Sequence, residues 1–308
     1  MTQWYQAPAE IDGAEGVAYI DEIFVPVREA RLPVLDWGFT RSDVTYDVVH
    51  VWDGAFFRLE DHLTRFANSC ASLRLQPGLD RDSIAAVVTE CVRASGLRDA
   101  YVEMVCTRGQ PRPGSRDPRT CENRFFAFAI PFVWVLSPER QDAGARLHIS
   151  DVPRISPGSV DPTAKNFHWG DLTRGLMQAL DMGADTAVLV DHDGNITEGP
   201  GFNIFCVNDN VVSSPDAGVL EGITRACVRE LCAAEAIEFR LCKVTPQDLL
   251  SADEVFLSST AGGIMPVAHV NNRILGNGRA GPLASRLKDR YWQRHKEGWH
   301  ATPIDYDN

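Results

Sequence analysis

The order of apolar patterns in the first hundred residues constrains the fold most, because two hairpin patterns precede two helical ones. Residues 16–30 and 42–60 each alternate around a short polar turn, at Asp21 and Asp53 respectively. Such alternation predicts two β-hairpins. Apolar residues then recur at helical spacing in EDHLTRFANSCASLRL and in SIAAVVTECVRASGL, which ends at Gly96. We therefore expect an α+β unit in which strands come before helices.

The second half of the chain alternates strand and helix patterns. The expected helices are 166–182, 223–236, 282–297 and a short one after Pro246, with strands between them. This order predicts a mixed sheet or barrel wrapped by helices. A polar segment with Pro and Gly, 137–145, is the best candidate for a linker. We expect a small N-terminal α+β domain at 1–136, this linker, and a larger C-terminal domain at 146–308.

The charge balance limits the partners. The 30 Lys and Arg against 42 Asp and Glu give a formal net charge of −12, and basic residues are not concentrated in any stretch. A surface for nucleic acid or an anionic membrane is therefore not expected. No apolar run approaches the roughly 20 residues of a membrane span, and the first residues lack a signal-peptide pattern. The eight cysteines lack metal-ligand spacing and are expected to be reduced, so we expect a cytoplasmic protein with no metal.

Lysine is the most informative residue type because it is scarce, occurring only at positions 165, 243, 288 and 296. Lys165 stands in DPTAKNFHWGDL, beside Phe167 and Trp169, where a strand pattern gives way to a helical one. An amine in such partly desolvated surroundings is suited to Schiff-base chemistry. The same position also suits a lysine that only packs its stem along an aromatic ring.

Two glycine-bearing turns can bind an anion through backbone N–H groups. Ile223 and Thr224 follow Gly222 at a predicted helix start, where free N–H groups and the helix dipole attract phosphate. The turn STAGGIMP offers the Thr260 hydroxyl, and Ala261 is followed by two glycines that let a ligand approach the backbone. Each turn is also compatible with ordinary capping.

Glu198 lies in the largely apolar run NITEGPGFNIF and needs a partner if it is buried. A pyridinium nitrogen is one candidate partner. An activated lysine, a carboxylate and a phosphate-binding helix start are together what pyridoxal phosphate requires of a protein.

The chain resembles the fold-type IV pyridoxal-phosphate transaminases, the group of branched-chain and D-amino-acid aminotransferases, and within it the (R)-selective amine transaminases. The matching strings run through most of the chain: LDWGFTRSDVTYDVVHVWDGAFFRLEDHLTR, YVEMVCTRG, DPTAKNFHWGDLT, ITEGPGFNI, GVLEGITR and STAGGIMP. The resemblance implies a C-terminal domain built around a pseudo-barrel. It also implies homodimers in which a loop of the neighbouring subunit completes each active site.

The resemblance further implies roles for individual residues. Lys165 would form the internal aldimine with pyridoxal phosphate and then move the substrate proton, while Glu198 would keep the ring nitrogen protonated. The implied phosphate ligands are Arg65, Ile223, Thr224 and Thr260. The implied substrate pocket has aromatic and small apolar walls, formed by Tyr46, Val48, Tyr101, Trp169 and Ala261.

Three arginines bear on substrate choice. Arg41 precedes SDVTYD where related sequences carry histidine, which places a permanent charge at the expected pocket mouth. Arg112 lies where D-amino-acid transaminases have an Arg and His carboxylate trap, but Gly114 replaces the histidine. An incomplete trap predicts weak binding of amino-acid carboxylates, unless Arg41 or Arg116 takes over.

These observations predict an aminotransferase that moves an amino group from an (R)-configured primary amine to a keto acid such as pyruvate. A D-amino-acid or branched-chain amino-acid transaminase on the same fold is the alternative, and an aminodeoxychorismate-type lyase is a more distant one. A non-catalytic acidic binding protein with the same fold would lack the cofactor altogether.

Overall fold

The structure, a computed structural model, describes residues 15–307. Its strands are β1 (Val17–Ile20), β2 (Ile23–Pro26), β3 (Val44–Trp52), β4 (Ala55–Phe57), β5 (Ala100–Gln110), β6 (Glu122–Pro131), β7 (Ala145–Pro153), β8 (Thr186–Val190), β9 (Asn203–Asn208), β10 (Val211–Pro215), β11 (Glu238–Cys242), β12 (Glu254–Ser259), β13 (Gly263–Val270), β14 (Arg273–Ile274) and β15 (Ala301–Pro303). Its α-helices are α1 (Trp37–Arg41), α2 (Leu59–Ser72), α3 (Arg81–Ser95), α4 (Pro138–Ala143), α5 (Gly170–Asp181), α6 (Ile223–Ala234), α7 (Pro246–Ser251) and α8 (Pro282–Lys296).

Two compact units divide the described residues. The first contains the chain up to Val133, the short segment Ala164–Phe167 and the residues from Trp299 onward. The second contains Trp134–Thr163 and His168–Gly298. The domain division expected at 137–145 stays a prediction.

The first unit is built on a seven-stranded sheet in the order β15-β4-β3-β5-β6-β1-β2. Both predicted hairpins are confirmed, with β1 paired to β2 and β3 paired to β4. Their turns place Asp21 and Asp53 at φ 50°, the left-handed region that two-residue hairpin turns require. Helix α3 ends at Gly96 with φ 68°, as its glycine predicts.

The two faces of the first sheet differ in what covers them. Val49, Val102 and Met104 belong to one buried apolar cluster with Phe66 of α2 and Val88 of α3. Successive strand residues point to opposite faces, so the residues between these do not face the helices. The sheet therefore has a helix-covered face and a second face, which carries the even-numbered residues of β3.

The second unit is built on an eight-stranded sheet, with the order β11-β10-β9-β12-β13-β7-β8 and β14 paired to β13. A buried cluster that includes Leu147, Leu257 and Met265 forms its core. Two sheets with helices confirm the expected mixed α+β architecture. Within residues 15–307, none of the helices has the length and apolar character needed to cross a bilayer.

One local expectation needs correction. The helix expected from residue 166 begins only at Gly170, because Asn166 instead forms an isolated bridge with Thr45 of β3. The segment 137–145, whose role as a linker stays a prediction, contains helix α4, which has Pro138 in its first turn and is capped by the Ser137 side chain.

Candidate active site

Lys165 lies in a short segment of the first unit that is fastened to strand β3 and helix α2. Its carbonyl oxygen accepts a hydrogen bond from Thr45 Oγ1 at 2.6 Å, and its N–H donates to Ser69 Oγ at 3.2 Å. Its amine Nζ lies 4.2 Å from the centre of the Tyr46 ring, and Phe167 packs on the same ring at 4.6 Å between centroids. The Lys165 backbone is thus fixed while its amine stays against an aromatic face.

The substrate-pocket residues predicted in the first unit share the second face of the sheet. Val48 of β3 pairs with Glu103 of β5, and Tyr101 lies two residues before Glu103 on the same strand. Because directly opposed residues point to the same side, Tyr46, Val48, Tyr101 and Glu103 line one surface. This is the surface on which the Lys165 amine contacts Tyr46.

Glu103 is the one ionisable residue of this surface that sequence reasoning did not identify. Its side chain is buried, and its Oε2 accepts a hydrogen bond from the Tyr101 hydroxyl at 3.0 Å. Burial raises the pKa of the Glu103 carboxyl to about 7, against the lowering effects of the Tyr101 hydrogen bond and the Lys165 charge. It forms no ion pair with any residue in the part of the chain that the structure describes.

Arg65 lies on the helix-covered face, where it binds Asp47. Arg65 Nε and Nη2 donate to Asp47 Oδ2 and Oδ1 at 2.7 and 2.8 Å, and His62 Nδ1 is 2.8 Å from Oδ1. Burial alone would raise the pKa of Asp47, but Arg65 and His62 outweigh it and hold that pKa well below the usual range. Burial lowers the pKa of His62, against the raising effect of its contact with Asp47. Asp47 and His62 were missed by sequence reasoning.

The three arginines considered for carboxylate binding are exposed. Arg41 ends α1 and places its guanidinium 3.4 Å from the centre of the Trp37 ring. Arg112 and Arg116 lie in the loop between β5 and β6. Neither of these two forms an ion pair with another residue in the range 15–307. The structure therefore does not gather the three into a preformed carboxylate site.

Glu198 belongs to the second unit, where an arginine that sequence reasoning missed holds it. Arg154 Nη2 donates to Glu198 Oε1 at 3.0 Å and Nη1 donates to Asp171 Oδ2 at 2.7 Å, while the Leu220 N–H donates to Glu198 Oε2 at 2.9 Å. Burial raises the pKa of Asp171, but the Ile155 N–H and Arg154 outweigh it and keep that pKa low. The predicted need of Glu198 for a partner is thus met by Arg154.

Helix α6 begins at the predicted anion-binding turn of the second unit. No side chain caps this helix start, and Ile223 and Thr224 are buried. A Cβ on Gly222 would lie 1.9 Å from Asn203 Oδ1, so only glycine fits there. The first N–H groups of a helix have no partner within it, which leaves this start able to bind an anion.

The other predicted residues of the second unit lie at a turn and a helix start. Thr260 and Ala261 connect β12 to β13, and the Ala261 N–H donates to Ser259 Oγ at 3.2 Å. Trp169 precedes α5 and packs on the cluster of Val152 and Leu172. The structure thus groups Lys165 with Tyr46, Val48 and Tyr101 in the first unit. It places Glu198, the α6 start and the Thr260 turn in the second.

Comparison with known proteins decides the family. Residues 45–270 match the family described as Amino-transferase class IV. The chain belongs to the class IV aminotransferases. It is 33% identical over 276 residues to the putative branched-chain-amino-acid aminotransferase of Methanocaldococcus jannaschii, covering 89% of this chain and 94% of that one. It is 25% identical over 262 residues to the D-alanine aminotransferase of Bacillus licheniformis, covering 84% of this chain and 90% of that one.

A solved class IV structure gives the same result. The branched-chain amino acid aminotransferase of T.th. with pyridoxamine 5'-phosphate superimposes with a TM-score of 0.88 at 29% identity, over 96% of this chain and all of that one. The expected fold-type IV architecture is thereby confirmed, and the chain is an aminotransferase.

Proposed function

We propose that this class IV aminotransferase moves an amino group from an (R)-configured primary amine to a keto acid such as pyruvate. The observation that carries the proposal is the surface beside the Lys165 amine, which is formed by Tyr46, Val48 and Tyr101 with Phe167. Aromatic and aliphatic walls suit an amine that bears one small and one bulky apolar group. Trp169 and Ala261 are the remaining wall residues of the proposal.

Pyridoxal phosphate is the cofactor, and when bound it supplies an aldehyde and an electron-accepting ring. The chain offers groups that fit it. The Lys165 amine forms no ion pair within residues 15–307, and the α6 start lacks a side-chain cap. Lys165 would hold the cofactor through Nζ, and the same amine would take up and return the substrate proton.

The remaining site residues hold the cofactor in place. Glu198, fixed by Arg154 and the Leu220 N–H, presents a carboxylate to the ring nitrogen. Arg65, oriented by Asp47, would be a phosphate ligand from the first unit, and the uncapped start of α6 at Ile223 and Thr224 and the Thr260 turn would offer phosphate ligands from the second.

A D-amino-acid or branched-chain amino-acid transaminase is the second candidate, since the matched relatives carry those names. It requires a group that binds the substrate carboxylate. Arg41, Arg112 and Arg116 are exposed, so one of them would have to move toward the bound substrate. The amine proposal needs carboxylate binding for the keto acid alone, whereas this candidate needs it for both substrates, so the exposure of all three arginines supports the amine proposal.

The visible absorption of the purified holoenzyme separates the two candidates. The protein is mixed in separate cuvettes with (R)-1-phenylethylamine, its (S)-enantiomer, D-alanine and L-leucine. Fast loss of the yellow band with the (R)-amine alone is the expected result. Faster loss with D-alanine or L-leucine would assign the second candidate, and a colourless protein after addition of pyridoxal phosphate would remove both.

We also propose a cytoplasmic homodimer with small-molecule partners. Val34, Leu35 and Phe39 are exposed apolar side chains in one stretch of the first unit, which supports an interface there. All eight cysteines are free thiols, which supports a reducing compartment. Light scattering after size-exclusion chromatography tests the dimer, since a monomeric mass would contradict it.

A further inference from the structure

Glu103 is a buried carboxyl for which the proposed function has no role. It is 8% exposed, lies directly across from Val48, and has the Tyr101 hydroxyl at 3.0 Å as its hydrogen-bond partner. Burying a carboxyl group lowers the stability of a protein unless hydrogen bonds or charged groups around it compensate for the lost hydration. The cation that acts on its carboxyl is Lys165, whose amine contacts Tyr46 on the same surface.

The position of Glu103 affects what can lie beside Val48. Two carboxylates in a poorly solvated pocket repel each other strongly, because few water molecules screen them. An uncharged alkyl or aryl group meets no such barrier. The surface of Tyr46, Val48, Tyr101 and Glu103 therefore accepts neutral substituents and disfavours anionic ones.

A keto acid with one carboxylate can satisfy this restriction, because it can turn its only charged end away from Glu103. A dicarboxylic keto acid carries a charge at each end of the molecule. Each of the two substituents on its keto carbon ends in a carboxylate, so whichever substituent is placed on the surface that includes Glu103 brings a negative charge there. The restriction therefore separates monocarboxylic from dicarboxylic acceptors.

We propose that Glu103 is a specificity-determining residue that excludes a second substrate carboxylate, so that the enzyme uses monocarboxylic keto acids and rejects dicarboxylic ones. The inference rests on the proposed pocket around Lys165. It extends that proposal from the donor to the chemical class of the acceptor.

The test compares pyruvate with 2-oxoglutarate as acceptors at pH 8, above the pKa of about 7 to which burial raises the Glu103 carboxyl, for the wild-type holoenzyme and for the variants Glu103→Gln and Glu103→Asp. The acceptor reaction starts from enzyme already converted by whichever donor works, so failure of the (R)-amine proposal does not obscure the result. We expect kcat/KM to favour pyruvate by about 100-fold or more in the wild type. Glu103→Gln should narrow that ratio at least about tenfold through a gain on 2-oxoglutarate, whereas Glu103→Asp, which keeps the charge, should not.

A control variant and a binding measurement test the same proposal. Glu60→Gln changes a well-exposed carboxylate on α2 and should leave the ratio unchanged. Binding of glutarate and butyrate, which do not react, should show the same discrimination by calorimetry, and Glu103→Gln should reduce it. An acceptor ratio that Glu103→Gln leaves unchanged, or that Glu103→Asp narrows equally, would overturn the proposal.

Discussion

The two faces of the first sheet each bury a carboxyl group, and the two groups have opposite electrostatic surroundings. Asp47 faces helix α2 and binds Arg65 through two hydrogen bonds, so its pKa lies well below the usual range. Glu103 lies on the adjacent strand, where the Tyr101 hydroxyl is its one hydrogen-bond partner among residues 15–307, and its pKa is raised to about 7. Both are nearly inaccessible to solvent. The partner, and not the depth of burial, decides the charge state.

Because their carboxyl groups have different partners, the two faces of the sheet are suited to different functions. A carboxylate locked to an arginine keeps the guanidinium in one orientation, which suits the binding of a fixed phosphate. A carboxyl such as Glu103, which forms no ion pair within residues 15–307, can respond in its charge state to a group that binds beside it, which suits selection among substrates. Strand β3 carries both tasks on alternate residues, with Asp47 on one face and Tyr46 and Val48 on the other.

Lys165→Ala should have the largest effect on activity. The backbone of Lys165 is hydrogen-bonded to β3, and its amine lies on the pocket surface. Loss of the proton-moving amine should lower kcat by at least about 10⁴-fold, measured with the best donor and pyruvate. Lys296→Ala, at the exposed end of α8, is the matched control and should retain full activity. Retained turnover in Lys165→Ala would remove Lys165 from the mechanism.

Asp47→Asn tests the helix-covered face. Removing one partner of a buried ion pair leaves the Arg65 charge uncompensated, so the free energy of unfolding should fall by about 4 kcal/mol in urea titrations. The exposed pair of Arg81 and Glu60 supplies the control, since Glu60→Gln should cost less than about 1 kcal/mol. Equal losses in the two variants would show that the buried Asp47–Arg65 ion pair contributes no more to stability than an exposed pair does.

Much of the fold could be predicted from the sequence because the patterns that determine its turns and helix ends are local. The hairpin turns at Asp21 and Asp53 and the end of α3 at Gly96 each depend on a few neighbouring residues. The late start of α5 was not predictable in this way. It follows from the bridge between Asn166 and Thr45, which are about 120 residues apart in the chain.

For the site, the sequence could indicate buried acids but not the residues that bind them. The argument that an acid in an apolar run needs a partner identified Glu198, and the same argument applied to VTYDVVHV and YVEMVC would have identified Asp47 and Glu103. Which partner each one has depends on strand register and tertiary packing. The sequence could not show that Asp47 meets Arg65 or that Arg154 meets Glu198.

Glu103→Gln should change how stability depends on pH. The carboxyl has its ordinary pKa of 4.5 when unfolded and about 7 when folded. Between these values the folded state binds more protons than the unfolded state, so wild-type stability falls as pH rises through this window. Above pH 7 the variant should be the more stable protein by up to about 3 kcal/mol, and below pH 4.5 this advantage should vanish. Urea titrations of both holoenzymes at pH 5 and pH 8 measure the change. An advantage that does not grow with pH would contradict the raised pKa.

Tyr101→Phe should have the smallest effect on stability and tests whether the tyrosine hydroxyl controls the charge of Glu103. The Tyr101 hydroxyl lowers the pKa of Glu103, so its removal should raise that pKa and extend the fall in stability to higher pH than in the wild type. The loss of one hydrogen bond amounts to about 1 kcal/mol. Tyr306→Phe is the control, since its hydroxyl donates instead to the Leu97 carbonyl at 2.8 Å. Both variants lose one tyrosine hydroxyl, but only Tyr101→Phe should move the pH at which stability levels off. Identical pH profiles for the two variants would mean that Tyr101 does not control the charge of Glu103, and the Lys165 amine would then be its main stabilising partner.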